Sequence, residues 1–160
     1  MATLHLMVGL PGSGKTTLAK QLEIELGALR LGADEWHVRL FGNDVHDDSD
    51  PDDWARHDAR HSAVEELLLT TAVRALELDV DAILDFGFWS RSERDELRSR
   101  AEALGAKCRI HATEASEQTL RERIRSRNAQ LPSGMFHIPE HKLAEWVKIY
   151  EPPSAEELQG

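Results

Sequence analysis

The chain has 160 residues, a formal net charge of -10 and a single cysteine, Cys108. The acidic balance argues against a nucleic-acid backbone as the main partner, because phosphates must be met by surplus Lys and Arg. One cysteine excludes a disulfide framework and a cysteine metal site, and no stretch reaches the ~18 apolar residues of a membrane span.

The hydrophobic share of 41% is enough for the core of one domain over residues 1–160. The chain starts without a basic segment or an apolar h-region, which predicts a cytoplasmic location. Leu4 to Val8 is a short apolar run that reads as a buried strand. Gly9-Leu10-Pro11-Gly12-Ser13-Gly14-Lys15-Thr16 follows it and fits the phosphate-loop pattern: Gly, four free positions, Gly, Lys, then Ser or Thr. A helix from Lys15 to about Leu26 comes next, with Gly27 as its stop. Strand, glycine loop, helix is the order that phosphate binding needs. Gly9, Gly12 and Gly14 let the backbone N–H groups turn inward toward an anion. The unpaired N–H groups of the first helical turn, around Lys15, Thr16 and Thr17, add the positive end of the helix dipole. Ser13 completes the loop, Lys15 reaches the β- and γ-phosphates, and Thr16 holds a magnesium ion.

Ala28 to Leu31 is a brief second strand, ending at Gly32-Ala33-Asp34. Asp34 stands as a cap at the carboxyl end of that strand, the edge where open α/β sheets bind ligands. A helical piece with Trp36, Val38, Leu40 and Phe41 follows. Residues 42–53 lack periodicity, contain six aspartates and read as a loop. It is either a solvated surface loop or an acidic wall that favours a cationic acceptor. Trp54 to Leu78 is a long helix that should cover the sheet. His57 and His61 on it have zinc-binding spacing, but no third ligand accompanies them.

Val80 to Phe86 is the third strand, and Asp85 ends its apolar run. A charge there needs a partner, which the magnesium side of a nucleotide site supplies. Phe86, Phe88 and Trp89 cluster at the ligand edge, one of them in the core and Phe88 or Trp89 at an acceptor pocket. Ser90 and Glu93 form a capping box for a helix to about Leu104. The charges on that helix, Arg91, Arg94, Arg98 and Arg100 among them, read mostly as solvated, with Arg91 closest to the site. Ala106 to Ala112 is the fourth strand. The helix from about Glu117 carries Arg121, Arg123, Arg125 and Arg127, four arginines in seven residues. Arg121 and Arg125 share one face, Arg123 and Arg127 another. One pair suits a lid, over about residues 117–135, that meets the charge of a transferring phosphoryl group. Spacing leaves open which pair. Glu140 to Ile149 is a last helix, and Glu151 to Glu157 reads as extended and turn-like.

These parts predict an α/β P-loop fold with helices on both faces of a parallel sheet. They predict ATP and Mg2+ as cofactors, Thr16 and Asp85 on the metal side, and Lys15 with lid arginines as countercharge. Asp34 is the best candidate to orient or deprotonate an acceptor hydroxyl, with Glu35 the weaker one. The phosphate loop, Gly32-Ala33-Asp34, Val80 to Phe86, Arg121 to Asn128 and Tyr150-Glu151-Pro152-Pro153 together resemble the small P-loop kinases of the "AAA domain" ATP-binding group. These are similar to chloramphenicol phosphotransferase, zeta-toxin kinases and the 5'-kinase domain of polynucleotide kinase. The resemblance implies strand order 2-3-1-4, often with a fifth strand. It also implies that Asp34 is the acceptor-activating aspartate and that Arg123 and Arg127 are lid residues. Arg39 matches the family's usual arginine only loosely. The expected activity is phosphoryl transfer to a hydroxyl of a small molecule, an amine-bearing antibiotic being one case. A regulatory NTPase or switch is the rival, and a polynucleotide 5'-kinase ranks below both on charge.

Overall fold

The computed structural model describes residues 1–160. Strand β1 (Thr3–Val8) leads through the glycine loop into α1 (Lys15–Leu26), which ends at Gly27 in the left-handed conformation. β2 (Leu29–Gly32) runs straight into α2 (Ala33–Phe41). The long helix α3 (Pro51–Glu77) starts earlier than its apolar periodicity suggests. Pro51 takes the first turn, and Asp50 and Asp53 form a reciprocal capping box, so the aspartate loop ends as a helix start. β3 (Ala82–Gly87) begins two residues later than expected. Val80 instead donates its N–H to Ala75 and closes the end of α3.

Helix α4 (Arg91–Ala103) carries the expected Ser90–Glu93 capping box. β4 (Lys107–Ala112), α5 (Glu117–Gln130) and α6 (Glu140–Ile149) follow. The C-terminal segment is not wholly extended. Ser154 and Glu157 form a third capping box and start α7 (Ala155–Gln159), because Glu157 is anchored by the buried Arg94 at 2.7 Å. Arg94 is therefore no solvated charge; it is 1% exposed.

The four strands form one parallel sheet in the order β2-β3-β1-β4, with no fifth strand. β1 lies in the middle, pairing Leu6 with Leu84 on one side and with Ile110 on the other. Its neighbours are reached by crossovers in opposite directions, so the carboxyl end of β1 is a topological switch point. The glycine loop grows from that end.

Alternation along β1 feeds two cores. Leu4, Leu6 and Val8 pack with Leu84, with Val64 and Leu68 of α3, and with Leu97 of α4. Met7 and Ile83 face the other way, toward Ala19 on α1. A third cluster joins Leu10 of the glycine loop to Trp54, Leu120, Ile124, Phe136 and Leu143. It ties α5, α6 and the loop between them to the phosphate loop. No helix is long and apolar enough to cross a membrane.

Candidate functional site

At the switch point a cleft of about 850 Å³ opens between the glycine loop, α2, α3, the loop after β3 and the segment bearing α5. That volume lies in the ordinary range for small-ligand sites. Gly12 (φ 82°) and Gly14 (φ 100°) adopt left-handed conformations that turn the loop's N–H groups toward one centre. Gly9 shapes the loop without lining the cleft. A Cβ there would lie 2.6 Å from Ser13 Oγ and 2.7 Å from the Thr113 carbonyl. Ser13 closes the loop from within: its Oγ donates to the Leu10 carbonyl (2.6 Å) and meets Thr113 Oγ1 (2.7 Å). The first intrahelical bond of α1 is Leu18 N–H to the Gly14 carbonyl. The N–H groups of Lys15, Thr16 and Thr17 thus have no helical acceptor and face the cleft.

Lys15 donates from Nζ to the Leu10 carbonyl (3.0 Å). Burial lowers its pKa, opposed by Asp34 and Asp85, the two carboxylates on either side. Thr16 Oγ1 donates to Asp85 Oδ2 at 2.8 Å. Register pairs Asp85 with Gly32, so the third and second strands deliver Asp85 and Asp34 to the same edge. Burial raises the Asp85 carboxyl, opposed by Thr16 and Lys15. A hydroxyl and a buried carboxylate in contact are hard oxygen donors, a set that fits Mg2+.

Asp34 is not the cap expected of it. Gly32 takes that position, and the Asp34 side chain makes no capping bond. It points into the cleft, with His61 Nε2 3.7 Å from its Oδ1. Glu35, the weaker candidate, is tied elsewhere: Arg30 Nη1 donates to its Oε2 at 2.7 Å. The lid loop reaches it too, since a Cβ on Gly134 would lie 3.0 Å from Glu35 Cγ.

The arginines of α5 divide by face. Arg121 and Arg125 turn outward and share Glu140 of α6, at 3.0 and 2.6 Å. Arg123 and Arg127 turn into the cleft. Arg123 Nη1 donates to the Gly12 carbonyl (3.0 Å). Arg127 has one long bond, Nη2 to the Phe136 carbonyl at 3.4 Å, and its buried Nε has no partner. Burial lowers its pKa, opposed by Asp34 across the cleft. Arg39 and Arg91 do not line the cleft; Arg91 pairs with Asp95 at 3.4 Å.

Phe86, Phe88 and Trp89 all border the cleft. Phe86 and Phe88 stack at 5.3 Å and also pack on the main core. Trp89 donates from Nε1 to the Gly9 carbonyl (3.2 Å), fixing the loop after β3 to the phosphate loop.

The aspartate loop is not a wall of this cleft. None of its six aspartates lines it. Asp50 and Asp53 cap α3, and Asp47 meets His137 Nε2 at 2.7 Å. Asp44 is placed 2.9 Å from His37 Nε2, 2.6 Å from His57 Nδ1 and 3.2 Å from Arg60 Nη1. Burial works to raise its carboxyl, but these hydrogen bonds outweigh that and hold it at about 2. Acidity in the cleft comes instead from Asp34, Glu35, Asp58, Glu65 and Glu93. Sequence reading missed Asp58 and Glu65, although His57, His61 and Glu65 recur four apart on one face of α3. It also found no third partner for the histidine pair, and His37 of α2 brings a third imidazole beside it.

Solved structures share this architecture. Kti12 of Chaetomium thermophilum, in complex with ADP-AlF3, is 21% identical over 96% of this chain and 82% of its own, with a TM-score of 0.67. A gluconokinase from Sinorhizobium meliloti 1021 is 19% identical over 98% of this chain and 78% of its own, TM-score 0.60. A chain of the Pnkp1/Rnl/Hen1 RNA repair complex is 22% identical over 92% of this chain and 43% of its own, TM-score 0.66. No curated protein matches the chain in sequence. The likeness expected from sequence holds at the level of a nucleotide-binding, kinase-like fold shared with gluconokinase, Kti12 and Pnkp1. It does not single out chloramphenicol phosphotransferase or zeta-toxin kinases. A family model described as AAA domain matches residues 4–153, and the chain, with its glycine loop at the switch point of a 2-3-1-4 sheet, belongs to the AAA domain family.

Proposed function

We propose that the chain is an ATP-dependent phosphotransferase that moves the γ-phosphoryl group to a hydroxyl of a small molecule. One observation carries this reading. The cleft does not stop at the phosphate loop but continues past it to Asp34, a carboxylate near His61 that accepts no hydrogen bond within the chain, with Arg127 lining the same cleft.

Phosphoryl transfer asks a protein for positioning and countercharge more than for covalent chemistry. The N–H groups around Gly12, Gly14 and the start of α1 hold the phosphates, and Lys15 swings from the Leu10 carbonyl to reach them. Thr16 and Asp85 would hold Mg2+, which would supply charge neutralisation for the phosphates. Arg123 and Arg127 meet the charge on the transferring group. The unpartnered Nε of Arg127 is a donor waiting for such an anion. Asp34 accepts the proton of the acceptor hydroxyl and holds it in line. The loop of residues 131–139, leaning on Glu35 through Gly134, excludes water over the reacting groups.

Beyond the phosphate loop the cleft is lined by Asp58, Glu65 and Glu93 and by the rings of Phe88 and Trp89. That chemistry favours an amine-bearing, partly apolar acceptor, aminoglycoside-like antibiotics included, and disfavours an anionic one such as a polynucleotide end. The support for this preference lies in these carboxylates and not in the aspartate loop.

Transfer from radiolabelled ATP with magnesium to a panel of aminoglycosides, chloramphenicol, sugars, nucleosides and sugar nucleotides tests the proposal. The expected result is one labelled class of acceptor and loss of that label in Asp34→Asn. ATP hydrolysis without any labelled acceptor, equal in Asp34→Asn, would instead establish a regulatory NTPase or switch.

A further inference from the structure

Three imidazoles from two helices meet beside the cleft: His37 of α2, and His57 and His61 one turn apart on α3. One ring nitrogen of each lies within 4.8 Å of those of the other two. The His57 and His61 rings stack at 5.8 Å and 12°. His37 is wholly buried, and Phe136 packs against all three rings at centroid distances of 4.9 to 6.2 Å. The proposed phosphotransfer uses none of these imidazoles.

Their outward nitrogens are already taken. Asp44 Oδ1 lies 2.9 Å from His37 Nε2 and 2.6 Å from His57 Nδ1. A carboxylate only accepts, so both nitrogens carry the proton. In the metal-binding form of each ring this places the lone pairs on His37 Nδ1 and His57 Nε2. His61 Nε2 lies near two more carboxylates, 3.4 Å from Glu65 Oε1 and 3.7 Å from Asp34 Oδ1, so a proton there is favoured. Its lone pair is then on Nδ1, which faces His37 Nδ1 at 3.3 Å. Two lone pairs at that distance repel unless a cation stands between them.

Zinc–imidazole bonds of about 2.0–2.1 Å at tetrahedral angles place ligand nitrogens about 3.3–3.4 Å apart, the separation of His37 Nδ1 and His61 Nδ1, and the third imidazole offers a nitrogen within 4.8 Å of this pair. The surroundings suit a metal as well. Rings that ligate metals donate their other N–H to a carboxylate, which sets the tautomer and aims the lone pair. His37 and His57 share Asp44 as that carboxylate, and Glu65 lies 3.4 Å from His61 Nε2. The donor set is nitrogen throughout, which separates this site from the oxygen donors of Thr16 and Asp85.

We propose that His37, His57 and His61 form a binding site for a divalent transition-metal ion of the zinc type, with Asp44 and Glu65 orienting the rings. His57 and His61 border the cleft, which is the route of entry. The bound ion would pin α2 to α3 and hold His61, and through it Asp34, on the acceptor side. This inference does not depend on the phosphotransferase reading.

The test is titration of the chelator-stripped full chain with zinc chloride by calorimetry, alongside cobalt(II) by visible absorption. The expected result is one zinc per chain and a cobalt ligand-field band of low-coordinate nitrogen type. His61→Ala should abolish both. Glu65→Gln, at a more exposed position, should weaken zinc binding about 10–100-fold. Asp85→Asn should leave zinc binding unchanged. Zinc should raise the melting temperature of the native chain and not of His61→Ala. No stoichiometric binding, or binding equally strong in His61→Ala and Glu65→Gln, would overturn the site; the cluster would then be held by a shared proton.

Discussion

Two arginines, Arg94 and Arg127, are withdrawn from solvent and are treated in opposite ways. Arg94 of α4 is fully bonded: Nε and Nη2 donate to Glu157, and Nη1 donates to the carbonyls of Phe88 and Glu151. Arg127 of α5 has one bond at 3.4 Å and a buried Nε with no partner. A desolvated guanidinium is tolerated only when its donors are satisfied. The chain satisfies Arg94 from within, which makes that residue a rivet between α4 and α7. It leaves Arg127 wanting an anion at the place where the phosphate loop would hold one. The difference separates an arginine that stabilises from one that waits for a ligand.

The largest expected effect is on catalysis. Arg127→Ala should lower kcat for phosphotransfer by about 10³-fold or more, the usual loss for a charge-stabilising arginine. Its melting temperature should hardly change, because only one long bond, to the Phe136 carbonyl, is lost. Arg94→Ala should do the reverse and destabilise by about 3–5 kcal/mol, since it leaves Glu157 buried and unpaired. At about 2–4 °C per kcal/mol for a chain of this size, that is visible in any thermal melt. Thermal melts and steady-state kinetics on both variants check the pair of expectations; an Arg127→Ala protein that melts early with normal kcat breaks the comparison.

A smaller effect is set by acid. Hydrogen bonding from Arg94 outweighs burial and lowers the Glu157 carboxyl from 4.5 to about 2. A depressed folded pKa means that the pair's stabilisation is complete above about pH 4.5 and fades as pH falls toward 2. Melting temperatures measured from pH 7 down to pH 2 should therefore fall more steeply in the native chain than in Glu157→Gln. Equal slopes would remove Arg94–Glu157 as the rivet. Smallest of all, Arg125→Ala loses only an exposed contact with Glu140. It should shift stability by less than about 1 kcal/mol and leave kcat unchanged. A drop in kcat there would mean that both faces of α5 act on the phosphates.

Local signals were read well. The glycine loop, the start and stop of α1, the Ser90–Glu93 box and the span of α6 all appear where residue types predict them. Signals that depend on distant partners were not. Arg94 looked like one more solvated charge among the acidic neighbours of its own helix, yet its partner lies 63 positions away. Asp44 looked like part of a solvated or acceptor-facing acidic loop, but it bonds two buried histidines and an arginine. The two arginine pairs of α5 are equivalent by helical spacing, and only Glu140 on α6 breaks the tie.

The sequence by itself determined the P-loop and its flanks, because backbone conformation there follows from glycines, a lysine and a threonine within eight consecutive positions. It also determined the α/β class, through short apolar runs that take turns with stretches of period 3.6 along the chain. Tertiary structure alone decided the choice that helical spacing leaves open between the arginine pairs, that Asp58 and Glu65 line the cleft, and that His37 joins His57 and His61. Those pairings are made by packing one element on another, so the partners' separation along the chain carries no trace of them.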